Sequence, residues 1–251
     1  MPQGSFGEIR AFNDFTGSYE DVTWSTTSVD LGGGWGVVSE NEGTLNQIVD
    51  EPGGILEFLT DTGDNDNVAL YAGPFKASDG GVVMECRFKV ADDLNFAVFA
   101  GFAETLAMDT PVMPAEYAST TMTYNGGGTV GLQYDLDGTT DDFRAASGDG
   151  GAVTGTLQNN TVATVDSPRA NQTITADEWY VCRVEIGPSG RCDYWIAHDG
   201  DGFELVESIT GAITTSDNFY ALLMCENRAA AAHNFQVDYV YARGFRDWSA
   251  D

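Results

Sequence analysis

Residues able to move protons or ligate metals are few and poorly placed for it. The chain holds two histidines, His198 and His233. A Ser-His-Asp or Cys-His system would need one of them beside a nucleophile. His198 ends an alternating run next to the turn Asp199-Gly200-Asp201-Gly202, and His233 stands in a polar stretch just before Asn234. Neither is expected to be catalytic. Carboxylates crowd three turns: Asp61, Asp64 and Asp66; Asp135, Asp137, Asp141 and Asp142; and Asp199, Asp201 and Glu204. Such loops can hold Ca²⁺, yet none follows the twelve-position loop with its terminal Glu. Asp and Gly are also what tight turns require. These loops are therefore expected to serve as turns, and no catalytic residue, metal or cofactor is expected. Zinc ligands at close spacing are missing too.

The remaining chemistry is that of surfaces. Trp35, Trp195 and Tyr124 neighbour glycines or lie off the inferred core face. Exposed, such rings would stack under sugars; the expected fate is core or interface, where large rings contribute most. Cys86, Cys182, Cys192 and Cys225 all lie in apolar or alternating runs, with no Cys-x-x-Cys pair. They are expected to be buried free thiols that pack as small hydrophobes. The sequons at Asn159 and Asn171 carry weight only on a secretory route. The first ten residues lack the basic start and apolar run of a signal peptide, so none is expected.

The elements that must position these residues are strands. Residues 179–206 read as an antiparallel meander: Trp179–Ile186, the turn 187–190, Arg191–His198, the turn 199–202, then Phe203–Val206. Tyr180, Cys182, Val184 and Ile186 share one face with Cys192, Tyr194, Ile196 and His198 if the hairpin loop has an odd number of residues. Both 187–189 and 187–191 satisfy that condition. Either register leaves Cys182 diagonal to Cys192 or further away. Diagonal side chains are about 7–8 Å apart, too far for an unstrained disulfide. Further strands are expected at 55–60, 68–71, 83–90, 96–103, 129–134, 219–225 and 234–245. Residues 96–103 are apolar on both faces, the pattern of a central strand. In the last strand Phe235, Val237, Tyr239 and Tyr241 are expected on one face. Residues 104–122 read as a long loop, and 144–172 allow either an excursion or weak edge strands. Residues 1–23 show isolated apolar anchors (Phe6, Ile9, Phe12, Phe15, Tyr19), as in an extended arm docked on its own sandwich or on a neighbour. The expected organisation is an arm over 1–23 and one β-sandwich over 24–251.

Composition narrows the partners. A chain of 251 residues buries a core without staples, and its 30 glycines suit many turns. It holds 39 Asp and Glu against 11 Lys and Arg, a formal charge of −28, which repels nucleic acid and anionic membrane. Neither is an expected partner. Self-repulsion at this charge is screened in brine, so the composition suits a saline setting as well as any acidic soluble protein.

The segments Ala176-Asp177-Glu178-Trp179-Tyr180, Cys192-Asp193-Tyr194-Trp195-Ile196 and Asp199-Gly200-Asp201-Gly202, with the closing Phe235-Gln236-Val237-Asp238-Tyr239-Val240-Tyr241, resemble concanavalin A-like and laminin-G-like sandwiches. As a strand pattern the resemblance spans roughly 50–245, but its sharp motifs cover only a small part of that. It implies two curved antiparallel sheets in a jelly roll. It also implies the roles such domains play. They include Ca²⁺-binding lectins, glucanases with a Glu-x-Asp-x-x-Glu strand, and virion proteins of tailed bacteriophages. No Glu-x-Asp-x-x-Glu triplet occurs; Glu85 and Glu104 head the nearest approaches, so no enzyme is expected. The acidic, free-thiol composition resembles the bacteriophage group most. The expectation is thus a capsid decoration or cement subunit, made in the host cytoplasm, sited on the virion surface and bound to the major capsid protein or other virion subunits as a homo-oligomer. The alternative is a carbohydrate-binding, lectin-like module of a fibre or host-recognition protein, with a glycan as partner.

Overall fold

The computed structural model describes residues 7–16, 22–25, 28–48, 53–91, 95–119, 121–138, 142–154, 174–198, 200–211 and 213–246. Asp141, Asp199, both sequons and most of the 144–172 stretch lie outside them, as do Phe6 and Tyr19. The first strands are β1 (Glu8–Asn13), β2 (Val22–Ser25), β3 (Val29–Gly32), β4 (Trp35–Ser39), β5 (Glu42–Gln47) and β6 (Leu56–Leu59). Then follow β7 (Asn67–Lys76), β8 (Val82–Val90), β9 (Phe96–Ala103), β10 (Ala115–Ala118), β11 (Thr121–Asp135) and β12 (Arg144–Thr154). The chain closes with β13 (Tyr180–Ile186), β14 (Arg191–His198), β15 (Glu204–Thr210), β16 (Asn218–Asn227) and β17 (Asn234–Phe245).

Two antiparallel sheets form. The nine-stranded sheet runs β15-β14-β13-β8-β17-β6-β5-β2, with β1 also on β17. The eight-stranded sheet runs β10-β11-β9-β16-β7-β4-β3, with β12 also on β11. The expected all-β, two-sheet jelly-roll sandwich is the fold observed. Residues 8–13 of the N-terminal segment pair with Val240–Phe245 of β17, on the chain's own sandwich.

Period-two alternation puts the inner faces together. Phe88, Cys86 and Met84 of β8, Val184 and Cys182 of β13, and Tyr194 of β14 meet Phe96, Val98 and Phe102 of β9 and Leu223 and Cys225 of β16 in one buried cluster. Edge-tilted ring contacts run through it, Phe88 to Phe235 at 5.6 Å and Phe143 to Tyr180 at 5.8 Å. The hairpin takes the longer register: Ile186 faces Cys192, and the Gly187 amide donates to the Arg191 carbonyl at 2.7 Å. Cys182 therefore sits opposite Ile196, well away from Cys192.

The last strand departs from its expected alternation. The β8–β17 register shifts between Val237 and Tyr239. The extra residue of this bulge reverses which side chains face inward. Phe235 and Val237 point into the core, but beyond them Val240 and Ala242 do so, while Tyr239 and Tyr241 stand half-exposed on the outer face.

The eight-stranded sheet has a second buried face. Ala97, Phe99 and Ala103 of β9 pack with Leu222 and Met224 of β16 and Ala69 of β7 on the side away from the sandwich core. Met113, before β10, and Ala115 and Tyr117 of β10, itself a strand of this sheet, belong to the same buried cluster. This is why 96–103 is apolar on both faces. Close approach at the centre of this sheet depends on glycine. Gly101 pairs with Gly131, and a Cβ on Gly101 would meet the Val130 carbonyl oxygen at 2.2 Å.

All four cysteines are buried and free, as expected. Cys86 and Cys182 face each other across β8 and β13, a pairing that spacing along the chain gave no means of seeing. Burial pushes the Cys192 and Cys225 thiols up to about 12 and the other two higher still. Because the thiolate is the reactive form, the native protein is expected to leave an aromatic disulfide reagent unreacted at pH 8 and to titrate four thiols after denaturation. A thiol reacting within minutes in the native state would show that the sandwich opens.

Candidate functional site

The structure sorts the sequence candidates by burial. Trp35 is 1% exposed in the core and Tyr124 is 3% exposed under the second apolar layer, so neither offers a ring to a ligand. Trp195 differs. It points outward from β14, half-buried, on the outer face of the nine-stranded sheet. With Arg183, Glu185 and Phe203 it lines a shallow depression of about 250 Å³. Phe203 is 43% exposed.

Each wall has a local cause. Arg183 and Glu185 take the outward positions of β13, alternating with buried Cys182, Val184 and Ile186. Arg183 lies directly across from Trp195 on one side and Glu85 on the other. The guanidinium donates from Nε to Glu185 Oε1 at 2.7 Å and from Nη1 to Glu85 Oε2 at 3.3 Å. That fork fixes the arginine while leaving further N–H directions for a ligand. The Trp195 indole nitrogen is buried without a hydrogen-bond partner. Trp179, on the same face, is covered instead: Arg87 and Lys89 lie 4.4 and 5.2 Å from its ring centre.

The charged face around this depression is ordered by pairing. Arg87 donates to Asp238 at 2.6 Å, and the Tyr239 hydroxyl donates to Glu85 at 2.7 Å. Burial and the Glu85 carboxylate both push the Tyr239 phenol well up. Arg10, Arg87, Lys89, Arg183, Arg191 and Arg243 all belong to this sheet's outer side, six of the eleven cations in the chain.

The carboxylate turns have structural duties. Asp66 accepts from the Gly63 amide at 2.6 Å and from the Asn41 side chain. Asp61 accepts from the Thr62 amide at 2.7 Å. Asp135 is 2% exposed and accepts from the Tyr117 amide, the Gln133 amide group and Arg228. Arg228 is the unexpected centre of this end of the sandwich. Its side chain is 4% exposed, and Asp135, Glu226, Glu116 and Asp137 surround it. Among the described residues no three His, Cys, Asp or Glu side chains are grouped to hold a metal ion.

Glu226 was invisible as a site in the sequence because it closes an apolar run. Burial pushes its carboxyl up to about 8; the nearby Arg228 opposes this, and Glu116 and Asp135 add to it. The folded chain then keeps a proton that the unfolded chain releases from about pH 4.5 upward. The contribution of this group to stability therefore falls as pH rises through the window from about 4.5 to 8. Glu226→Gln is expected to gain on the wild type between pH 5 and pH 8 in urea unfolding midpoints; midpoints that fall in parallel would refute the shift.

The two histidines stand in unlike surroundings. His198 Nε2 lies 2.6 Å from Glu178 Oε2, with its ring stacked on Tyr180 at 4.8 Å between centres. His233 is 3% exposed, its amide donating to Thr60 Oγ1 at 2.9 Å. Glu85 and Glu104 stand on different sheets, Glu104 accepting from the Gly128 amide at 3.0 Å. They cannot form the carboxylate pair of a retaining glycosidase.

No family model and no curated protein sequence matches the chain. Solved structures do. A protein of unknown function from Shewanella oneidensis aligns with a TM-score of 0.57 at 12% identity, over 98% of this chain and 90% of that one. Peanut lectin aligns at 0.52 and 11%, over 91% and 100%. The carbohydrate recognition domain of Emp47p aligns at 0.50 and 12%, over 89% and 97%. The fold is concanavalin A-like. At these identities the likeness establishes the fold alone.

The comparisons correct the expected role. A capsid decoration or cement subunit was expected, with virion partners, but the matched domains that carry a functional name are a lectin and a carbohydrate recognition domain. Acidity and free thiols had pointed to bacteriophage. These are properties of surface and compartment, and they do not specify which member of a fold a chain resembles.

Proposed function

We propose that the chain is a carbohydrate-binding, lectin-like module whose ligand meets the outer face of the nine-stranded sheet at Trp195. The observation that carries this reading is the open depression in which an aromatic ring stands beside a fixed Arg183–Glu185 pair. A sugar offers an apolar face of C–H groups and a rim of hydroxyls. The first suits an indole face, and the second suits a carboxylate that accepts and a guanidinium that donates. The likeness to peanut lectin and to the Emp47p carbohydrate recognition domain supports the same reading at the level of fold.

The test is a glycan array with the purified chain. Saturable binding to one sugar class, reproduced in solution by calorimetry, is the expected result. Failure to bind any glycan, or turnover of a β-glucan, would overturn it.

A further inference from the structure

The Trp195 depression does not stand alone. A second one, of about 220 Å³, lies on the same sheet face. Glu185 lines both. The strand register explains the arrangement. Trp195, Arg183 and Glu85 form one row across β14, β13 and β8. Asp193, Glu185, Val83 and Arg243 form the next row, two residues further along. Two residues of strand are about 7 Å. Beyond them Gly81 and Gly187 line the hollow together with Pro188 and Ser189.

The two depressions differ in chemistry. The first has exposed aromatic carbon. The second is walled by Arg191, Asp193 and Arg243. Arg191 Nε donates to Asp193 at 2.9 Å, so these walls hold fixed directions. Arg243 Nε makes no hydrogen bond, its nearest carboxylate oxygen being that of Glu8 at 3.8 Å. A polar hollow fits a hydroxyl-rich ring better than an apolar group. Size points the same way. Either hollow falls below the roughly 300 Å³ at which pockets enclose a drug-sized ligand; joined through Glu185, they exceed it.

We propose that this face binds a neutral oligosaccharide across two adjoining subsites, one sugar on Trp195 and the next over Gly187 and Gly81 between Arg191 and Arg243. The proposal rests on the glycan reading of the Trp195 depression. Neutrality follows from charge: Arg183 and Arg191 are already paired with the subsite carboxylates Glu185 and Asp193, Arg243 has Glu8 as its nearest carboxylate, and the chain carries a formal −28. A ligand carboxylate would meet these carboxylates at short range and the whole field at long range.

The experiment measures affinity along ladders from one to six sugars, using neutral gluco-, manno-, xylo- and galacto-oligosaccharides and a galacturonate series. The expected result is at least a tenfold gain from mono- to trisaccharide in one neutral ladder, with little gain beyond. Gly187→Tyr is expected to cut that gain to threefold or less. Its Cβ would touch only the Arg191 carbonyl oxygen, at an ordinary 3.5 Å, so the ring enters the hollow without straining the turn. Arg191→Ala, a change at an exposed side chain, is expected to reduce the gain in the same direction. Monosaccharide bound as tightly as trisaccharide, a gain untouched by Gly187→Tyr, or preference for the galacturonates would overturn the two-subsite proposal while leaving Trp195 as a single-sugar site. Binding to no sugar in any ladder would remove both.

Discussion

Arg228→Met is expected to lower the free energy of unfolding by about 3–5 kcal/mol, the scale for removing one partner of a buried charge group. The arginine side chain is 4% exposed, and Asp135 and Glu226 beside it are 1% and 4% exposed. Asp135 takes two donations from the guanidinium, at 2.9 and 2.6 Å. Without them it would keep the Tyr117, Gln133 and Asp137 amides, neutral donors that offset less of a buried charge than the guanidinium does. Glu226 can retreat to its protonated form, since burial already pushes it up to about 8. Asp135 therefore carries most of the loss. Urea unfolding at neutral pH reads it directly, and Arg228→Lys should recover only part, because one ammonium cannot reproduce a two-pronged contact. A methionine variant within about 1 kcal/mol of the wild type would mean that water reaches this end of the sandwich.

Trp195→Ala is expected to weaken glycan binding about thirtyfold, the equivalent of a 2 kcal/mol hot spot. The ring supplies the apolar wall of the depression, and truncation leaves Arg183 and Glu185 facing water without it. The fold should survive, because the side chain lies outside the core while its neighbours Tyr194 and Ile196 fill it. Trp179→Ala is the companion measurement. Its ring lies under Arg87 and Lys89, so its removal should alter affinity less than twofold. Equal losses in the two variants would mean that the whole sheet face, rather than one depression, holds the sugar. No loss from Trp195→Ala would move the site elsewhere.

Much of the fold was legible because alternation was unbroken. From Tyr180 to His198 every inward position is apolar but the last, so the faces followed from the chain alone, while the hairpin register stayed open between the loops 187–189 and 187–191 until the pairing of Ile186 with Cys192 decided it. Legibility failed where the backbone departs from strict period two. In β17 a bulge near Asp238 moved the tyrosines outward although their spacing placed them inside. In β11 the glycines at 126–128 look like an interruption, yet the strand runs through them with a register shift between Tyr124 and Gly128. Trp195 was found because it lies off the alternating core face. Arg183 and Glu185 lay in plain view as polar residues of β13, but only pairing with β14 shows that they flank it. The Arg228 cluster had no local signal at all. Asp135 is 93 residues away and Glu116 is 112, and nothing in the intervening sequence marks those partners.

The second apolar cluster of the eight-stranded sheet bears on valency. Around Phe99, Leu222 and Met224 that sheet is buried on both sides, so among the described residues its centre offers no open face to match the one beside Trp195. On the proposed glycan reading, one chain grips one ligand through a sheet face. To bridge two cells or two polymers it must do so as several chains held together, and agglutination by the isolated monomer is not to be expected.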